Sequence, residues 1–232
     1  LSINAASING RDANAALDGD EIALGYGDDI AAGDSRVEIS FSGIITEMMH
    51  GIYASKYEYD GAVRTIIATQ FESHHAREAF PCIDEPEAKA TFDLSLSTAS
   101  DLTVLSNTEP LESAKAKNKV TFETTPVMST YLLAFVAGEL HCEEARSKNG
   151  ILMRTWGHVG QPKKFLQYAN AEAVRIIDFF EEYFDTPFPL KKCDQVALPD
   201  FESGAMENWG LITYREIALL ADPDNRSISS EQ

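Results

Sequence analysis

Between Arg36 and Ala137 apolar residues recur at every second position, in short runs separated by turn dipeptides. A period of two suits a strand with one buried face, whereas a helix needs repeats at three and four. Val37, Ile39 and Phe41 alternate with polar residues in 36–42, predicting a half-buried strand. Runs 52–59 and 63–69 flank Asp60-Gly61, a hairpin turn pair. Strands are also predicted at 91–97, with Phe92, Leu94 and Leu96 inward, at 102–106 and at 120–123. Residues 131–137 are continuously apolar, the pattern of a strand buried on both faces. Before residue 34, short apolar pieces break at Asn9-Gly10 and Asp18-Gly19-Asp20. No amphipathic helix is predicted ahead of Asn149, so residues 1–149 are expected to form an all-β, sandwich-like domain.

The character changes after Asn149-Gly150. Residues 151–156 read as one more strand, and Pro162 then opens a helical pattern to about Phe184. Phe165, Ala169, Ala173, Ile176, Phe180 and Tyr183 recur at three and four, marking one apolar face. Proline is tolerated in a first helical turn, and Thr186-Pro187-Phe188-Pro189 ends the helix. Strands predicted at 196–198 and 211–214 make residues 150–232 the start of a mixed α/β domain. Between them stands Gly204-Ala205-Met206-Glu207-Asn208. Small residues there let a backbone approach closely, and a sheet edge can accept an extended peptide as an added strand.

The formal net charge of -18 and pI near 4.6 exclude nucleic acid and anionic membranes as natural partners, since both would be repelled. Cationic groups, including free amino termini, fit better. Cys82, Cys142 and Cys193 have no disulfide or zinc spacing, so free thiols and a cytoplasmic setting are expected. No run approaches the roughly 18 apolar residues of a membrane span. The Asp-rich early turns lack the ligand frame of a calcium loop.

Three long blocks carry a family resemblance. Thr69-Gln70-Phe71-Glu72, followed by Ala76-Arg77-Glu78-Ala79-Phe80-Pro81-Cys82-Ile83-Asp84-Glu85-Pro86 and then Lys89-Ala90-Thr91-Phe92, is the first. Met128-Ser129-Thr130-Tyr131-Leu132-Leu133-Ala134-Phe135-Val136-Ala137-Gly138-Glu139 is the second, and Gly204 to Asn208, continuing to Thr213-Tyr214-Arg215-Glu216, is the third. Together they resemble the zinc aminopeptidases related to aminopeptidase N, closest to the puromycin-sensitive branch. The resemblance implies a saddle-shaped N-terminal β domain followed by the first, mixed α/β part of a thermolysin-like catalytic domain. It also implies site roles for peptides with a free amino terminus. Glu207 and Glu72 would grip the ammonium, Gly204 and Ala205 the substrate main chain, and Met206 would line the first side-chain pocket. Asn208 would orient Glu207 or the substrate.

The family holds its zinc with a His-Glu-x-x-His helix, expected beyond Gln232. Here His50, His74, His75, His141 and His158 include no such pair. His74 and His75 are adjacent, so their side chains are expected to diverge. Zinc is therefore expected in the full-length enzyme and none in this stretch, which would be an inactive fragment able to self-associate through exposed apolar surface. Leu1-Ser2-Ile3 resembles a strand inside the family's first domain, so earlier strands are expected to precede it. The alternative is a non-catalytic scaffold keeping the architecture; Glu72 and Glu207 argue against it. Ala205 argues against an epoxide hydrolase of the same family. Pro81 to Pro86 reads as a structural corner and Cys82 as a packed thiol. Glu202 and Ser203 stand where smaller apolar residues are usual.

Overall fold

A computed structural model describes residues 1–99, 101–112 and 118–224; residues 225–232, the end of the second expected domain, lie outside them. The first sheet contains β1 (Ser2–Ile8), β2 (Arg11–Asp18), β3 (Glu21–Gly25) and β4 (Val37–Ser42), in the order β3-β2-β1-β4. Asn9 (φ 53°) and Gly10 (φ 78°) both take the left-handed conformation of a two-residue turn closing Ile8 onto Arg11. The strand expected at 36–42 is present as β4, but Val37 and Phe41 are exposed rather than inward. Among described residues of this sheet, only Ile8 is buried, because no second layer among the described residues covers the face.

The second sheet takes β5 (Gly51–Tyr59), β6 (Ala62–Gln70), β8 (Thr103–Ser106) and β10 (Phe135–Gly138) in the order β5-β6-β10-β8. The expected hairpin is β5 and β6, turning through Asp60 (φ 52°) and Gly61 (φ 70°). A short helix, α1 (Ala76–Ala79), follows it, and β7 (Ser95–Ser97) pairs with β9 (Lys119–Thr121) as a small ribbon. The apolar run 131–137 is not one strand. Thr130–Leu132 forms a 3-10 turn and β10 begins at Phe135. The Asn107 side chain takes the place of a ladder partner, donating Nδ2 to the Leu132 carbonyl (2.8 Å) and accepting from Ala134 N–H (2.9 Å).

The third sheet has the order β11-β12-β13-β15-β14, from β11 (Leu140–Arg146), β12 (Leu152–His158), β13 (Lys192–Leu198), β14 (Ala205–Met206) and β15 (Leu211–Arg215). β12, β13 and β15 run parallel, while β11 and β14 pair antiparallel at the two edges. The crossover from β12 to β13 carries α2 (Gln167–Phe184), and α3 (Glu216–Leu219) follows β15. The described residues are thus mostly β, with one long helix among them in the mixed second part.

The buried stripe of α2 differs from expectation. Ala173 is buried, but Ile176, Phe180 and Tyr183 are exposed, while Asn170 is buried and Val174 and Ile177 pack on a small cluster of Ile151, Met153, Ala173 and Cys193. Asn170 sits mid-stripe because its Nδ2 reaches the Met153 (3.1 Å) and Glu143 (3.2 Å) carbonyls and the Thr155 hydroxyl (3.3 Å). One apolar core joins the second and third sheets. Tyr53, Ile66, Phe71 and Val136 from one side share it with Trp156, Val196, Leu198, Met206 and Leu211 from the other.

Candidate functional site

The motif 204–208 lies on an edge because β14 is only two residues long and ends the sheet. Ala205 opposes Tyr214 and Met206 opposes Thr213, and Arg215 N–H donates to the Gly204 carbonyl at 3.0 Å. From there side chains alternate. Ala205, Glu207 and Trp209 face out, whereas Met206 and Asn208 are each 2% exposed. The Met206 thioether, expected at a substrate pocket, packs in the core with Phe71 and Leu211. Asn208 Nδ2 donates to Thr213 Oγ1 (3.3 Å) and its carbonyl accepts from Leu211 N–H (3.1 Å), so it braces its own turn. Glu207, Trp209, Phe188, Leu190 and Ile212 border a hollow of about 180 Å³.

Glu72 stands two residues beyond the end of β6 and is exposed, while its neighbour Phe71 is buried in the core that also holds Met206. Each of the two expected ammonium-binding carboxylates is therefore next in sequence to an anchor in one shared core. Burial raises the Tyr214 phenol, a bond from Gln195 opposes this, and the Glu207 charge adds to the rise.

Contacts across the two sheets fix this turn, and sequence reasoning missed the residues that make them. Tyr53 Oη donates to the Asp200 carbonyl (3.0 Å), and the Asp200 carboxylate accepts from Ser55 Oγ and Lys56 N–H, each at 3.1 Å. Arg215 holds the following segment through the Phe201 (2.8 Å) and Glu202 carbonyls. Asn107 also donates to the Trp209 carbonyl at 2.8 Å. Gly210 (φ 72°) must be glycine, because a Cβ would stand 2.2 Å from the Asn107 carbonyl oxygen.

Beneath the turn lies a buried ionic cluster. Lys192 Nζ donates to Asp194 Oδ2 (2.8 Å), the Gly210 carbonyl (2.7 Å) and the Ser106 carbonyl. Arg154 grips Asp194 with two bonds, at 2.6 and 2.9 Å, and Trp156 Nε1 adds a third at 3.0 Å. Burial pushes the Asp194 carboxyl up, but Lys192 and Arg154 outweigh it and hold the group below the usual carboxylate value. Burial pushes the Lys192 ammonium down, yet three acceptors meet its three hydrogens. The available signal was Lys192-x-Asp194: two charges on a strand face that continues with Val196 and Leu198.

Cys82, Cys142 and Cys193 are unpaired, and burial pushes Cys82 and Cys193 each up to about 11, which keeps them as thiols. Asp84 is buried and accepts from Arg77 and Thr130. No helix among the described residues is long and apolar enough to cross a membrane. One trio among the described residues, His50, His75 and Glu78, has metal-ligand atoms converging within 4.8 Å.

Residues 5–132 match the Peptidase M1 N-terminal domain, and residues 168–232 match the Peptidase family M1 domain. An aminopeptidase N of Lactococcus lactis subsp. lactis is 51% identical over 199 residues, covering 84% of this chain and 23% of that protein. An aminopeptidase N of Lactobacillus delbrueckii subsp. lactis is 42% identical over 227 residues, 93% of this chain and 27% of its own length. A puromycin-sensitive aminopeptidase of Caenorhabditis elegans is 48% identical over 193 residues, 81% of this chain and 20% of its own. The chain thus spans about a quarter of the length of these relatives.

Proposed function

The chain belongs to the M1 peptidase family, and from that premise we propose that it is the amino-terminal recognition part of a zinc aminopeptidase removing residues from free peptide amino termini. We divide it into an N-terminal β domain and the start of the catalytic domain. One observation carries the reading: the alternation along β14 turns Ala205 and Glu207 outward on an open sheet edge, while Met206 and Asn208 lock that edge to the core. A peptide lying along β14 would meet main-chain groups at Gly204 and Ala205. Its terminal ammonium would meet Glu207, with Glu72 as the second carboxylate. Charge-assisted bonds to an ammonium are about twice as strong as neutral ones, and an internal peptide bond has no cation to offer. Met206 would support the strand and its pocket from beneath, and Asn208 would hold Glu207 in place. Three unpaired thiols support a cytoplasmic setting.

The family's zinc has no ligand set in these 232 residues, which lack a His-Glu-x-x-His sequence. No hydrolytic step is assigned to them, and the chain alone is proposed to be inactive. Cleavage of aminoacyl anilides by the purified 232-residue chain would refute that. In the full-length protein, Glu207→Ala is expected to lower kcat/KM for such anilides by roughly 10- to 150-fold, the equivalent of losing one bond to a charged group. Near-full kcat/KM in the variant would remove Glu207 from the site.

A further inference from the structure

Three histidine rings stack at the turn between β6 and α1, His74 on His75 with centroids 4.6 Å apart and His75 on His50 at 4.4 Å. His50 Nδ1 lies 2.7 Å from Glu78 Oε2, and His75 Nδ1 lies 2.8 Å from Glu78 Oε1. The fold builds this convergence. His75 and Glu78 stand three apart on the α1 turn, whose Ala76 and Ala79 are buried, while His50 leads directly into β5. Gly51 (φ 64°) brings the β5 backbone so close that a Cβ would meet Glu78 Oε2 at 3.0 Å. The side chains of His50, His75 and Glu78 are 29%, 24% and 43% exposed, open enough for an ion from solvent.

Two imidazole nitrogens and a carboxylate form the mixed nitrogen and oxygen set that borderline divalent ions prefer, with a coordination position left for water. We propose that His50, His75 and Glu78 bind a first-row divalent transition ion, zinc foremost, at a site that uses neither Glu207 nor Glu72. The ion takes the place of the protons between the two Nδ1 atoms and the carboxylate, each imidazole binding as its Nε2–H tautomer. The nitrogen-to-oxygen separations then open to about 3.3 Å, as tetrahedral bonds of about 2.0–2.1 Å require. His74, whose Nδ1 pairs with Ser73 Oγ at 2.9 Å, stays outside the ligand set. A bound ion would fasten the turn carrying Glu72 to the start of β5.

The test uses the full-length protein, stripped with chelator, titrated with zinc and measured for bound metal. Variants His50→Gln and His75→Gln should each bind one ion per chain fewer than the parent, so zinc held elsewhere cancels in the comparison. In the unmutated protein, zinc should protect His50 and His75 from carbethoxylation, read by peptide mass spectrometry, while His74 stays reactive. Equal zinc content in parent and variants, or unchanged labelling of His50 and His75, overturns the site. Neither readout depends on peptidase activity, so the fate of Glu207 leaves it untouched.

Discussion

A methyl group at residue 210 has nowhere to go, since the Asn107 carbonyl oxygen stands 2.2 Å from its position and the backbone is left-handed there. Gly210→Ala is expected to cost on the order of 2 kcal/mol or more in urea unfolding. Gly204 has open space around its Cβ position and no left-handed backbone, so Gly204→Ala should cost under about 0.5 kcal/mol. A fall in kcat/KM for Gly204→Ala at unchanged stability would then mark close approach of substrate. Equal destabilisation by both changes would contradict this distinction. Asp194 makes a pH prediction. Its folded carboxyl lies below the unfolded value near 3.9, so its stabilisation is complete above that value and disappears as pH falls through the folded one. Asp194→Asn should lose about 3–5 kcal/mol at neutral pH by leaving the buried Lys192 uncompensated. The gap between variant and parent should narrow in denaturation curves taken below about pH 4. A gap that widens in acid would reverse the sign assigned to this carboxyl.

At the scale of elements, α2 illustrates both what sequence conveys and what it hides. Its stop at Thr186-Pro187 follows from punctuation, and the helix ends with Asp185 in the left-handed conformation, but its start does not, since Lys163–Leu166 forms a 3-10 turn and α2 begins only at Gln167 rather than after Pro162. Its buried stripe does not follow, because apolar residues lie on two faces and the centre of the buried one is Asn170, whose value depends on carbonyls of β11 and β12 distant in sequence. Asn170→Leu should cost about 1–3 kcal/mol by leaving the Met153 and Glu143 carbonyls without this donor. Phe180→Ser, on the face the period favours, should cost under about 0.5 kcal/mol, and the reverse ranking of urea midpoints would restore the period-based face. The same limit applies to the site. The outward Glu207 was legible from its motif, but Asn107, Asp200 and Lys192, which hold its turn, act across 102, 145 and 18 residues of sequence.

Across the whole molecule, stability should be uneven, because burial is. The second and third sheets share a core running from Tyr53 and Phe71 to Val196 and Leu211, and Lys192 reaches across it to the Ser106 carbonyl. Opening either sheet would expose apolar surface of the other, so the two should unfold together. The sheet β3-β2-β1-β4 has only Ile8 buried among its described residues, and its hydrogen bonds lie close to water. Opening it costs little hydrophobic burial, so it should open locally at a free energy well below the global one. Native-state hydrogen exchange on the full-length protein should therefore show β2 and β3 amides exchanging at least tenfold faster than those of β6, β10 and β13. Slow exchange in β2 and β3 would mean that another part of the protein covers the exposed face of Val37 and Phe41. Phe41→Ser in the full-length protein separates the two cases: it is nearly neutral for an open face, and for a covered one it costs about 2 kcal/mol or more in urea unfolding.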